Sequence, residues 1–122
     1  MRKNIEKENA ILIKSKKFAV RIIRFYKYLY DEKREFVLAQ QILKSGTSIG
    51  ANAREASRAQ SRKDFIAKQC IALKEAEETC YWLEIMMEAE IIETKEFETM
   101  YADAKELVAI LTSIIKTTEI NK

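Results

Sequence analysis

The sequence predicts an all-α fold, an antiparallel up-down-up-down four-helix bundle that forms a single domain over residues 1–122. The chain contains no proline. Its apolar residues recur three or four positions apart, without the alternation that is typical of strands. The polar segments between these periodic stretches are short, and short connections place consecutive helices side by side in opposite directions.

The first two helices are predicted over residues 5–30 and 35–59. Apolar residues on one face of the first helix extend from Ile11 to Tyr30. The charged stretch 31–34 then forms a short connection. Apolar residues of the second helix extend from Leu38 to Ala56 with the same helical spacing. Each helix therefore has one face suited to a shared core.

The third and fourth helices are predicted over residues 62–91 and 94–118. Ser61, followed three residues later by Asp64, is a typical signal for the start of a helix. A seven-residue repeat predicts the seam of the third helix. Its members are Ile66, Leu73, Cys80 and Met87, with Ala76 and Leu83 at the intervening positions. Thr94 starts the fourth helix, whose apolar face runs from Phe97 to Ile115.

Composition excludes several classes of function. The chain has no histidine, the commonest general base and metal ligand, so we expect no enzymatic activity, no metal and no cofactor. No run of eighteen apolar residues is present, which excludes a membrane-spanning helix. The apolar run from Ile11 to Ile13 is too short for a secretory signal, so we expect a cytoplasmic protein. Cys70 and Cys80 lie about 15 Å apart along one helix, beyond disulfide reach, and are expected in the core.

Charge divides the chain into two halves. Residues 1–63 carry 16 Lys/Arg and 6 Asp/Glu, a balance of +10, whereas residues 64–122 carry 6 and 13, a balance of −7. This division predicts a polyanionic partner for the basic half, or contact with the acidic half of a neighbouring subunit. The acidic residues predict a solvated face or such a contact rather than a metal site, because di-iron bundles pair glutamate with histidine; they include Glu75, Glu78, Glu88, Asp103 and Glu106.

Both glycines of the chain, Gly46 and Gly50, lie in the stretch KSGTSIGANAREA. No strand precedes them and no lysine follows them, so a phosphate-binding loop is excluded. On a helix they form a ridge of small residues with Ala53 and Ser57. Each glycine costs about 0.5–1 kcal/mol relative to alanine inside a helix, and close approach of another helix compensates for that cost. A break near Gly46 is the alternative interpretation.

Three polar residues flank this ridge on one face of the second helix: Ser48, Asn52 and Glu55. Buried polar groups require hydrogen-bond partners. We therefore predict that these residues form a polar network, either with each other or with a neighbouring helix, that fixes the register of the second helix. A catalytic role is disfavoured, because the sequence offers no pair of nucleophile and base.

Basic residues follow a helical spacing in two places. Four lie on the first helix: Lys14, Lys17, Arg21 and Arg24. Four more lie at the end of the second helix and the start of the third: Arg54, Arg58, Arg62 and Lys63. Such cations predict salt-dependent binding to the phosphate backbone of RNA or DNA. The alternative is the solvated face that any amphipathic helix shows.

The stretch CYWLEIMM, residues 80–87, is apolar on every side of its helix. In a four-helix monomer one side of each helix faces water, so this stretch predicts a further contact. Aromatic residues and methionine are enriched at protein interfaces, which favours a homo-oligomer interface at Tyr81, Trp82, Ile85 and Met86. The alternative is that these side chains cover one end of the bundle.

The motif SGTSIGANAREA, followed by SRKDFIAKQCIALKEAEETCYWLE, resembles the four-helix-bundle family encoded in intervening sequences of bacterial 23S rRNA genes. The matching residues of the second helix are Ser48, Ile49, Asn52, Glu55 and Ala56. Those of the third helix are Ala72, Leu73, Glu75, Glu78, Trp82 and Leu83. The resemblance implies a homopentamer. It also implies similarity to the accessory protein of diversity-generating retroelements, which joins a reverse transcriptase and binds nucleic acid.

Together these observations predict a non-enzymatic, oligomeric accessory protein that contacts RNA or DNA backbone through its basic first half. The resemblance adds a reverse transcriptase or a ribosomal component as protein partner, and no membrane. The alternative is a structural adaptor, a ring whose charges serve protein–protein contacts without nucleic acid.

Overall fold

A computed structural model describes residues 3–120, with side chains from Ile5 onward. It contains four helices: α1 (Lys3–Asp31), α2 (Phe36–Ala56), α3 (Arg62–Glu88) and α4 (Thr94–Ile120). Helix α1 packs against α2 and α4, and α3 packs against the same two helices. The all-α four-helix bundle predicted from the sequence is confirmed. None of the described helices is long and apolar enough to cross a membrane.

Cross-helix contacts show that neighbouring helices are antiparallel. Arg21 of α1 pairs with Asp103 of α4, and the earlier Lys14 pairs with the later Glu106. On the opposite side, Lys68 of α3 contacts Glu55 of α2. The topology is therefore up-down-up-down, as short connections require.

Two predicted helix ends were too late by three residues. Helix α2 ends at Ala56 instead of residue 59, because the amides of Arg58 and Ala59 each bond to a carbonyl only three residues earlier. Helix α3 ends at Glu88 instead of residue 91, because Glu90 has a φ of 60°. The predicted start of α3 agrees with the structure, where Ser61 Oγ accepts a hydrogen bond from the Asp64 amide at 3.0 Å.

The core-facing residues of α3 differ in part from the predicted seam. The predicted Ala76, Cys80 and Leu83 are buried, and they are joined by four residues outside the predicted seam: Gln69, Ala72, Thr79 and Met86. The predicted Ile66, Leu73 and Met87 are only half-buried, and Cys70 is exposed. Small and polar residues occupy much of the true seam, so its hydrophobic signal is weak and the apolar flank misled the prediction.

The connection after α3 holds a non-glycine residue in the left-handed conformation. The Ile91 amide bonds to the Met86 carbonyl at 2.9 Å and the Glu90 amide to the Met87 carbonyl at 3.0 Å, the arrangement of a Schellman cap. That cap places Glu90 at φ 60°, a position that favours glycine.

We expect Glu90→Gly to raise the free energy of unfolding by about 1 kcal/mol, because relief of the left-handed strain exceeds the extra entropy that glycine has when unfolded. Glu88→Gly, two residues earlier in the last turn of α3, is the matched control and should destabilise by about 1 kcal/mol. Urea denaturation of both variants measures the difference, and destabilisation by both would contradict the described cap.

Candidate nucleic-acid interface

The two glycines fix how α1 lies against α2. Helix α2 is continuous through Gly46 and Gly50, so the predicted alternative of a break near Gly46 is wrong. A Cβ at Gly46 would lie 2.8 Å from Ile22 Cγ1, and one at Gly50 would lie 3.0 Å from Ser15 Oγ. Both distances are shorter than ordinary van der Waals contact. The glycines therefore allow α1 to pack closely on α2. This contact fixes the orientation of α1 and thus the direction in which its basic face points.

The side chains of the three polar residues beside the ridge do not bond to one another. Ser48 Oγ donates to the Lys44 carbonyl at 2.6 Å, and Asn52 Nδ2 donates to the Ser48 carbonyl at 2.9 Å. Both bonds lie within α2. Glu55 instead pairs with Lys68 of α3, with 3.0 Å between Oε1 and Nζ. The predicted network is thus reduced to one cross-helix ion pair and two local hydrogen bonds.

A buried pair that the sequence analysis missed joins α2 to α3. The hydroxyl oxygens of Ser45 and Thr79 lie 2.8 Å apart, and both residues are fully buried. Gln69, also on α3, is buried as well, and its Oε1 has no hydrogen-bond partner among the described residues. Single serines and threonines in a helical sequence give no signal for such a pair, because pairing depends on the register between two helices.

Half of the predicted basic stripe on α1 is neutralised by acidic residues of α4. Lys14 Nζ lies 2.9 Å from Glu106 Oε2. The Arg21 guanidinium lies 3.0 Å from Asp103 Oδ2 and 3.4 Å from Glu96 Oε2. The acidic half was expected to form a solvated face or to meet another subunit. These carboxylates are exposed, as expected for a solvated face, but they also pair with cations of the basic half of their own chain.

The other two cations of the α1 stripe keep their charge available. Lys17 and Arg24 are exposed, and neither forms an ion pair within residues 3–120. They are seven residues apart, so about 10 Å of helix separates them on one face. Lys14 and Arg21 are therefore poorer candidates for phosphate contacts than Lys17 and Arg24.

The second group of predicted cations surrounds the α2–α3 connection and is called the end cluster here; it comprises Arg54, Arg58, Arg62 and Lys63. All four are exposed and form no ion pair in the described part of the chain. Arg58 was predicted on a helix but lies in the turn after α2. Between residues 54 and 64 there are two carboxylates, and Lys68 already engages one of them, Glu55.

Comparison with known proteins identifies the family. The 23S rRNA-intervening sequence protein family matches residues 7–113. The chain belongs to that family. A crystal structure of a protein with unknown function, from the S23 ribosomal protein family of Bacteroides thetaiotaomicron, is 55% identical with a TM-score of 0.89 over 90% of this chain and 98% of that chain. No curated protein is significantly similar. The similarity to a retroelement accessory protein stays a prediction.

In this member of the intervening sequence family, the predicted oligomer interface is smaller than expected. Met86 is fully buried inside the bundle, so its assignment to the interface is corrected. Trp82 is half-buried, and its Nε1 lies 3.3 Å from Glu78 Oε2. Tyr81 is 54% exposed and Ile85 is half-buried. Tyr81, Trp82 and Ile85 therefore remain a predicted interface.

Tyr101 and Cys80 are held in their protonated forms. Tyr101 donates to Glu84 Oε2 at 2.7 Å, and this hydrogen bond raises the pKa of Tyr101 to about 12. Burial raises the pKa of the Cys80 thiol to about 11. Neither group is ionised at neutral pH. Within residues 3–120, no three histidine, cysteine or acidic side chains come close enough together to hold a metal ion.

Proposed function

We propose that this chain is a non-enzymatic, oligomeric protein that binds the phosphate backbone of RNA or DNA. The observation that carries the proposal is the end cluster, in which four exposed cations gather around one turn without acidic partners in the described chain. Cations in this state bind phosphates and release condensed counterions, which gives affinity that is independent of sequence and falls steeply with salt.

The absence of histidine and the high pKa values of Cys80 and Tyr101 support a non-enzymatic role. Exposed Tyr81 beside half-buried Trp82 supports oligomerisation, since aromatic residues are enriched at interfaces. A reverse transcriptase or a ribosomal component as protein partner belongs to the same proposal. The family is named for 23S rRNA, so structured RNA is the first nucleic acid to use as a probe.

The test compares two variants that each lose two positive charges. In Arg58→Gln/Arg62→Gln we expect the slope of log affinity against log salt to fall in magnitude by about 2, since each lost phosphate contact removes about 0.9. In Lys14→Gln/Arg21→Gln the slope should stay unchanged, because α4 already neutralises those cations. Fluorescence anisotropy with a structured RNA and a DNA duplex, across a salt series, measures the slopes of both variants.

Equal losses of slope in the two variants would show that net charge, rather than the end cluster, governs binding. No binding of the native chain to either probe, even at low salt, would overturn the proposal.

One observation favours the alternative, an adaptor that makes only protein–protein contacts. Ile13, Val20 and Ile23 on α1 are 58%, 44% and 43% exposed, and steps of seven and three place them on one outward face. Contiguous exposed apolar side chains mark protein interaction sites. An assembled native protein in light scattering, together with no binding to either probe, would support the adaptor function.

A further inference from the structure

A groove of about 650 Å³ lies between the second half of α1 and the first turns of α4. Its apolar lining includes Phe25 and Ile92, which are buried, and Tyr28, which is 41% exposed. The rings of Phe25 and Tyr28 are 6.4 Å apart and inclined by only 23°. The groove therefore combines an apolar floor, an accessible aromatic side chain and a volume within the range of small-molecule sites.

The charges at this groove suit a ligand that is anionic and aromatic. Arg24 and Lys95 line it, and neither forms an ion pair in the described chain. Lys33 Nζ lies over the Tyr28 ring, 6.0 Å from its centroid, so a base that stacks on that face displaces the lysine side chain. Arg21 also lines the groove, but carboxylates of α4 hold its guanidinium.

A carboxylate at the same groove provides an acceptor. Glu93 is exposed, and its side chain forms no ion pair within residues 3–120. Carboxylates accept hydrogen bonds from the exocyclic amino groups of bases, as from N4 of cytosine. Uracil and thymine lack such a group.

The geometry points to a site for one unpaired nucleotide of a single-stranded nucleic acid. Its base would stack on Tyr28, its exocyclic amino group would donate to Glu93, and Arg24 and Lys95 would contact the flanking phosphates. Paired bases within a duplex present no free face for stacking, whereas unpaired bases stack readily on aromatic side chains. Lys17, seven residues before Arg24, extends the line of unpaired cations along α1.

This inference rests on the proposed function, because it specifies a single strand as the form of nucleic acid that the protein binds. It uses a different surface from the end cluster. The two surfaces lie at opposite ends of the bundle: the end cluster surrounds the α2–α3 connection, and the groove lies beside the last turns of α1. Duplex binding therefore reports on the end cluster, and the part of single-strand binding that depends on Tyr28 reports on the groove.

The experiment measures anisotropy of single-stranded oligoadenylate and oligouridylate of about ten nucleotides, with the DNA duplex as third probe. We expect Tyr28→Leu to weaken oligoadenylate binding by about 5-fold to 150-fold, the equivalent of 1–3 kcal/mol for one stacked base. Duplex affinity should not change. Tyr28→Phe keeps the ring and should bind within about 2-fold of the native chain. Tyr30→Leu, on the same helix but outside the groove, is the matched control.

Glu93→Gln should reduce the preference for oligoadenylate over oligouridylate. Unchanged oligoadenylate affinity in Tyr28→Leu would overturn the groove assignment, and so would equal losses in Tyr28→Leu and Tyr30→Leu. Native protein that binds duplex but not single strands would also overturn it, while leaving the proposed function intact. Tyr28-dependent binding of single strands without duplex binding would support the groove and overturn the role of the end cluster. Native protein that binds no probe would overturn both.

Discussion

Gly46→Leu should lower the free energy of unfolding by about 3 kcal/mol, the upper part of the range for overpacked cores. Even the first carbon of the new side chain would lie 2.8–3.2 Å from three side-chain carbons of Ile22, which is itself fully buried. Because Ile22 is buried between the helices, we expect α1 and α2 to separate to admit the larger residue. Urea denaturation followed by circular dichroism measures the loss.

The second glycine provides the matched control. At Gly50 the nearest atom to an added Cβ is the Ser15 hydroxyl oxygen, at 3.0 Å, and the Ser15 Cβ follows at 3.4 Å. A small shift of Ser15 relieves this contact, and alanine favours the helix by about 0.5–1 kcal/mol over glycine. We therefore expect Gly50→Ala to change stability by less than about 1 kcal/mol.

Coupling between the two helices gives a stricter test of the same contact. In an Ile22→Ala background, Gly46→Leu should cost less than in the native chain, because the missing side-chain carbons leave space for the leucine. Equal costs in both backgrounds would mean that Gly46 does not meet Ile22.

The fold was predictable because its determinants are local. Helical spacing without proline predicts the four helices, and the short connections predict the up-down-up-down topology. The early end of α2 was harder to predict, because the connection 57–61 contains neither glycine nor proline. The left-handed Glu90 that ends α3 gave no signal either, since glutamate is an unusual residue at that position.

The candidate site was only half predictable because charge pairing is not local. The spacing of Lys14, Lys17, Arg21 and Arg24 placed them on one face, which the structure retains. Whether each of these cations is paired depends on α4, whose carboxylates lie 75 to 92 residues further along the chain. One residue of rotation of α4 would change which cations are neutralised. The end cluster was easier to predict, because its four members lie close together in sequence around one turn.

The apolar stretch 80–87 shows why burial in the bundle and burial in an oligomer are hard to separate by sequence. Both require the same residue types, and the difference lies in the rotation of α3 about its axis. Gln69 and Thr79 occupy core positions. Because these residues are polar, the sequence does not show which face of α3 is turned toward the core. The structure assigns Met86 to the core and Tyr81 to the surface, which leads to opposite predictions for the two residues.

Met86→Ala should lower the free energy of unfolding by about 2–5 kcal/mol, the cost of removing a buried methionine side chain and leaving a cavity. The loss should be the same at low and high protein concentration, because Met86 lies in the core of one chain, at 0% exposure. Tyr81→Ala is the control. Its side chain is 54% exposed, so it should change the stability of the single chain by only about 0.5 kcal/mol.

Urea denaturation at protein concentrations about 100-fold apart separates the two positions, because subunit association makes apparent stability depend on concentration. If Tyr81 contacts another subunit, Tyr81→Ala should weaken that dependence, whereas Met86→Ala should leave it in place while shifting every midpoint downward. A small, concentration-dependent loss for Met86→Ala would instead place its side chain between subunits, and the described packing of α3 would then be wrong. The comparison therefore tests the rotation of α3, on which the assignment of every side chain in the stretch 80–87 depends.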